Sequence, residues 1–404
     1  MSRKTLVRGI QLIVLITLAT FSYKIYQAVV TDRESLVAGL ATLRPGWLVV
    51  AAALALQEGV CGGLRIFVLG RVVHPKLAIR TAIVSEFVLM FCAGASPGQV
   101  AGPPAQVAVL VHSGMRLVDV ATTELVVGAS TILFFLLTAL TIFVMRAHGM
   151  FHPEGGVEID YLVWMAVISF GSALLVMIIC AAYPPLLKSM IRAVAPPLGA
   201  VWRLLVRALG RIGRLRAWSE RQRRGAISAR LLTGVDDMHH GFGVYRRQGK
   251  LACLVGFVLT AGFFCSRFGA AYFILMGLGV DTTPAVFVAS GHPFFQVVLL
   301  QGLLNFALYL APSPGASGIA EAMSSKLMKP WIRGAYELPY LFLWRTITLF
   351  LCMFVGGLFV FRYLGTDLLE KQAKKGDAPP AAKEDDAPAV APRPELLEDP
   401  PAET

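Results

Sequence analysis

The chain is 404 residues long, with 56% apolar residues, only 15% charged residues, a formal net charge of +12 and a mean hydropathy of +0.66. A soluble domain carries about 25% charged residues, so this composition excludes an ordinary water-soluble enzyme or binding module. Lipid must cover the apolar surface, and runs of about 20 apolar residues cross a hydrocarbon core of about 30 Å as helices that satisfy their own backbone.

Residues 1–8 are basic and precede a long apolar run, which predicts a retained first helix at 6–30 rather than a cleaved signal peptide. Further spans are predicted at 47–69, 77–93, 118–144, 161–183, 251–280, 284–311 and 336–363. Two pieces, 94–111 and 312–328, are only half as long; they follow the third and seventh spans and open at Gly/Pro-rich breaks. The loop 184–250 holds fourteen Lys/Arg against three acids, about +11 of the net charge, and by the positive-inside rule is expected on the cytoplasmic side. Because membrane topology explains that charge, no nucleic-acid partner is expected. The acidic loop 147–160, with Glu154, Glu158 and Asp160, suits the outside, and Arg71, Lys76 and Arg80 suit the inside.

These assignments conflict with eight simple crossings. They agree if 77–114 and 284–330 are re-entrant hairpins dipping in from opposite sides, at the cost of Lys326, Lys329 and Arg333 facing outward. The expected fold is an all-α polytopic membrane protein of about six full transmembrane helices plus two inverted re-entrant helical hairpins, with both termini cytoplasmic. The expected organisation is a first membrane half at 1–183, the basic loop at 184–250, a second membrane half at 251–365 and a disordered, Pro/Ala/Glu/Lys-rich tail at 366–404. Within the loop, 199–218 predicts an amphipathic helix lying on an anionic leaflet. Trp202, Leu205, Val206, Leu209 and Ile212 form one face, with Arg203, Arg207, Arg211 and Arg214 on another.

The two breaks resemble each other. The first contains Ser96, Pro97, Gly98, Gln99, Gly102, Pro103 and Pro104; the second contains Pro312, Ser313, Pro314, Gly315 and Gly318. Pro removes a backbone donor and Gly permits unusual dihedrals, so helices stop there. Irregular backbone at membrane depth is tolerated only inside protein or beside a water-filled cavity. Paired interruptions in two halves point to an inverted-repeat transporter with its site between them.

Charges within spans are costly, roughly 2.5–3.5 kcal/mol each, and mark functional positions or internal pairing. Glu58 and Arg65 lie two turns apart in the second span, Glu86 in the third, Glu124 in the fourth, Arg267 in the sixth and Arg345 in the eighth. Glu321 follows the second break, and His292, Gln296, Gln301 and Asn305 line up in the seventh span. Arg suits phosphate because its planar fork donates bidentately. The competing reading is Arg–Glu pairing that only fixes helix packing, and Glu124 and Lys24 lie close enough to span ends to snorkel. The six cysteines sit in apolar runs without metal spacing, and Asp236, Asp237, His239 and His240 match no standard ligand set. No metal or cofactor is expected. A P-loop and HExxH are absent from the sequence.

On these motifs the chain resembles the transmembrane module of the lysylphosphatidylglycerol synthase/flippase-like family of bacterial and archaeal membrane proteins. Ser96-Pro97-Gly98 to Gly102-Pro103-Pro104 corresponds to that family's first break, Glu124 to the Glu of the following helix, Pro314-Gly315 to Gly318 and Glu321 to its second stretch, and Arg345 to its final Arg. Pro103 stands where a Glu is common in that family and Leu125 where an Arg is common. The resemblance covers about residues 5–365. It implies a multi-pass protein of the bacterial cytoplasmic (inner) membrane that translocates a lipid or lipid-linked substrate, without the soluble synthase domain and its transferase activity. Arg267 and Arg345 are expected to meet the charge of an anionic or glycosylated lipid, with Glu58, Glu86 and Glu321 orienting them or carrying protons. The breaks would add backbone donors and half-helix N-termini. The alternatives are a membrane-embedded head-group transferase and an accessory subunit that docks a glycosyltransferase or lipid-modifying enzyme.

Overall fold

The structure is a computed structural model that describes residues 41–96, 99–148, 156–183, 224–280, 293–309, 318–329 and 336–362, with a few isolated positions between them. The predicted first helix at 6–30, the amphipathic stretch 199–218 and the tail lie outside the described residues. Residues Met1–Val360 form one unit and Phe361–Thr404 the other; the architecture below is that of the first.

Every regular element among the described residues is helical. In chain order they are α1 (Pro45–Val73), α2 (Ile79–Ala95), α3 (Gly102–His112), α4 (Leu117–Ala147), α5 (Gly156–Ala182), α6 (Arg224–Gln248), α7 (Lys250–Gly277), α8 (Pro293–Tyr309), α9 (Ile319–Met328) and α10 (Glu337–Arg362). Five of these are long and apolar enough to cross a membrane: α1, α4, α5 from Asp160, α7 and α10. They match the predicted spans within a few residues. Among the described residues, α2 and α8, at 17 residues each, and the shorter α3 and α9 do not reach that length.

Local sequence sets the ends. α1 starts on Pro45, whose missing N–H costs nothing in a first turn, and stops before Pro75. α2 ends at the Ser96-Pro97 junction, where the Ser96 hydroxyl accepts a hydrogen bond from the Ala101 amide at 3.0 Å. Pro103 and Pro104 then sit in the first turn of α3. α9 starts after Gly318, whose φ of 89° is a conformation suited to glycine.

α2 and α3 pack against each other and return the chain to where it began. Leu77, before α2, and Met115, after α3, both approach Gly70 near the end of α1. These residues share one apolar cluster with Leu69, Val120 and Tyr245. α8 starts at the other end of α1: Phe294 packs on Tyr272 and Phe273 near the end of α7, and Phe273 stacks on Trp47 at the start of α1. α9 ends beside the start of α10, where the Ser325 hydroxyl donates to Glu337.

The core is a larger apolar cluster supplied chiefly by α7 and α8. Its aromatic centre has Phe135 of α4 edge-on to Phe264 of α7 at 4.6 Å and to Phe306 of α8 at 5.6 Å. α1 and α7 make the most extensive helix pair. The α5 face exposes Trp164, Ile168, Leu175, Val176 and Ile178. An apolar surface of this extent belongs in lipid.

α6 is an addition that the sequence reading did not place. Its Tyr245 hydroxyl donates to the Leu69 carbonyl of α1 at 2.8 Å and lies 3.2 Å from the Thr123 hydroxyl of α4. Burial pushes this phenol well above its ordinary range, so it stays a donor.

Candidate functional site

A cavity of about 190 Å³ opens where α1, α2, α7 and α10 converge. Helical spacing explains its lining. Glu58 and Arg65 of α1 are seven apart; Glu86, Leu89, Met90, Ala93 and Gly94 follow one face of α2; Arg345, Thr348, Leu349 and Cys352 follow one face of α10. Phe263, Phe264 and Arg267 complete the wall from α7. The helix continues past Arg345 as a π-turn at Thr346–Phe350, a local widening frequent at functional sites.

The cavity gathers three arginines, each with a carboxylate. Arg65 Nη2 donates to Glu86 Oε1 at 3.3 Å, and Gln106 Nε2 of α3 donates to the second Glu86 oxygen at 2.9 Å. Arg267 Nη1 donates to Glu58 Oε1 at 3.1 Å. Arg345 Nε donates to Glu321 Oε1 at 3.2 Å, and its Nη2 reaches the Ala316 carbonyl at 3.5 Å. Glu321 is itself fixed, because its other oxygen accepts from the Gly318 amide at 2.6 Å at the start of α9. Three guanidinium groups and three carboxylates sum to no net charge when all are ionised.

These pairs do not exhaust the polar capacity. Arg65 is held over the Phe263 ring at 4.6 Å, with Nε and Nη1 buried and without a hydrogen-bond partner among the described residues. Glu58 Oε2 is likewise buried without one. Buried polar atoms are nearly always hydrogen-bonded, so orphans gathered at one cavity mark a place for a polar ligand or water.

Both breaks border this cavity. The two described non-glycine residues with positive φ are Gln99 (59°), in the first break, and Ala316 (56°), in the second, and both line the wall. Left-handed backbone costs about 1–2 kcal/mol in an L-residue, and strain of this kind clusters at functional sites.

Of the residues singled out in the sequence, Glu58, Arg65, Glu86, Gln99, Arg267 and Arg345 line the cavity. Glu321 supports it through Arg345, while Ser96, Gly102 and Gly318 shape the breaks; Gly102 is packed so tightly on α2 that a Cβ there would sit 2.8 Å from that of Ala93. Glu124 of α4 stands off the lining, with a buried and unpartnered Oε1 and within electrostatic reach of Glu86 and Arg65. Asn305 is buried on α8 and is not a lining residue, although Leu308 one turn later is. Pro97, Gly98, Ser313, Pro314 and Gly315 lie outside the described residues. Asp236 pairs with Lys188 at 2.6 Å, and a His239 ring nitrogen faces the Ala181 carbonyl at 3.2 Å, so both serve in holding α6. Gln106 and Phe263 were missed. A lone amide in an apolar half-helix was a usable signal for Gln106; nothing separates Phe263 from the many other core phenylalanines.

The fold and cavity define a multi-pass helical membrane protein that encloses a charged, protein-walled hollow. The chain belongs to the family described as the lysylphosphatidylglycerol synthase transmembrane region, whose model matches residues 10–356. That membership links it to lipid modification or lipid flipping. No curated protein matches the chain.

Proposed function

We propose that this protein translocates an anionic or glycosylated lipid, or a lipid-linked substrate, across the bacterial cytoplasmic membrane. The observation that carries the reading is convergence: both helix breaks and arginines from three helices meet at one cavity. A phosphate-bearing head group would enter there and use guanidinium donors, including the two that Arg65 leaves unused, while its tails stay in lipid. α2–α3 and α8–α9 act as re-entrant hairpins from opposite leaflets. This is supported by the short lengths of α2, α3 and α9 and by the hairpins' outer ends packing near opposite ends of α1. With six full crossings, the helix at 6–30 included, both termini are cytoplasmic. The basic stretch 199–218 lies on the anionic inner leaflet.

The test is head-group exposure in reconstituted vesicles, read by quenching of fluorescent phosphatidylglycerol with a membrane-impermeant reductant. The wild-type protein exposes inner-leaflet lipid to the quencher. Arg345→Ala and Arg267→Ala each slow this by about tenfold or more, since losing a charge-assisted hydrogen bond costs about 1.5–3 kcal/mol. Equal rates with and without the wild-type protein would remove the proposal.

A further inference from the structure

The Glu58–Arg267 pair is built unevenly. The Glu58 side chain is 2% exposed and Arg267 is 32% exposed. Of the two Glu58 oxygens, Oε1 accepts from Arg267 and Oε2 has no hydrogen-bond partner among the described residues. Glu86, by comparison, has donors on both oxygens. An anion in the cavity therefore meets the accessible Arg267 and competes with Glu58 for it. Glu58 has nowhere to follow, because it sits in the interior of α1 among buried residues.

A buried carboxylate without its cation is costly and takes up a proton instead. The charged and titratable groups that act on Glu58 are Arg65 and Cys61 of its own helix, Glu86 of α2, Arg267 of α7 and Cys352 of α10. Arg65 is engaged by Glu86, whose own charge opposes a second ionised carboxylate nearby. With Arg267 drawn to the ligand, the one remaining cation of this group, Arg65, is already charge-matched by Glu86, so Glu58 is left without a counter-charge of its own.

Resting on the translocation reading above, we propose that Glu58 takes up a proton when a lipid phosphodiester engages Arg267, so that one anionic head group crosses together with one proton. The ligand brings one negative charge, the proton comes from water in the cavity and binds a Glu58 carboxylate oxygen, and the Arg267–Glu58 ion pair is exchanged for Arg267–phosphate. The occupied site keeps the net charge of the empty one. On release of the head group Arg267 returns to Glu58 and the proton leaves.

The experiment is calorimetric titration of the full-length protein in detergent at pH 7 with dihexanoyl-phosphatidylglycerol, whose phosphodiester stays singly ionised. It is repeated in buffers of different ionisation enthalpy. Wild type is expected to show a heat that varies with buffer, corresponding to net uptake of up to one proton per bound lipid, and Glu58→Gln is expected to lose that dependence. Binding with a buffer-independent heat in the wild type overturns the coupling while leaving head-group recognition standing. Proton uptake that persists in Glu58→Gln overturns the assignment to this residue. Absence of any lipid binding in the wild type overturns the translocation reading and the coupling with it. The wild-type titration decides the coupling even if the Gln variant does not fold.

Discussion

Arg65 occupies a setting that a lysine could not reproduce. One of its nitrogens reaches Glu86, its face lies over Phe263 and two donors remain unused. Arg65→Lys keeps the charge but loses the planar fork and most of the stacking. Lipid movement in the vesicle assay should fall by about tenfold, a loss of about 1.4 kcal/mol; wild-type rates in this variant would mean that a point charge is enough. The register that presents Arg65 to Glu86 depends on small residues. A Cβ at Gly62 would lie 2.5 Å from the Glu86 carboxyl, and one at Gly63 would lie 2.5 Å from the Ile83 Cα. Close helix approach in membranes depends on such residues. Gly62→Ala should destabilise the fold by about 1–3 kcal/mol through overpacking, measured as a lower unfolding midpoint in detergent; an unchanged midpoint would show that α2 can move aside freely. The sequence exposed these residues because charge inside a span is conspicuous. It could not say which Glu meets which Arg. Glu321 was legible as a residue after a break, but its bond to the Gly318 amide and its hold on Arg345 follow only once α9 and α10 are packed together.

At the level of elements, hydropathy located the five described spans because each must cross the same thickness of hydrocarbon, and Pro and Gly located the breaks because they change backbone chemistry. The helix in the basic loop was another matter. α6 carries Arg224, Arg230, Asp236, Asp237, Arg246 and Arg247, too much charge to announce itself as a span. Its placement comes from tertiary contacts: Tyr245 on Leu69 and Thr123, Gly241 against Thr122, and Asp236 with Lys188. The Tyr245 hydroxyl joins α6 to α1 and α4, so Tyr245→Phe should cost about 0.5–1.5 kcal/mol, the net worth of a hydrogen bond. The readout is faster amide exchange across 234–248, with the core of α7 unchanged. Combined with Thr123→Val, the loss should be less than additive, because both variants break the same contact. Exchange at the wild-type rate in Tyr245→Phe would show that apolar packing alone holds α6.

At the scale of the whole molecule, the packing fixes which ends lie together, and the membrane then fixes which side they face. Leu77, Met115 and Tyr245 share a cluster at the C-terminal end of α1, whereas Phe294 lies with Phe273 and Trp47 at its start. α10 runs in the same direction as α1: Cys352 reaches the Ala55 carbonyl, and Gly356, one turn on, sits against Phe87, which also abuts Gly59. The start of α10 therefore belongs with the start of α1, and the end of α9 belongs there too, since Ser325 bonds to Glu337. If these ends are separated by a bilayer, the first hairpin opens to the side of α6 and the second to the side opposite. Single cysteines at three exposed positions, introduced after replacing the six native ones, read this directly. Ser113→Cys after α3 and Asp237→Cys on α6 should react with an impermeant maleimide from the cytoplasmic side, and Lys329→Cys after α9 should react from the other. If Lys329→Cys labels with the first two, α8 and α9 do not form an outward-opening hairpin. The two breaks would then reach the cavity from one leaflet, and a head group would have no route through to the other.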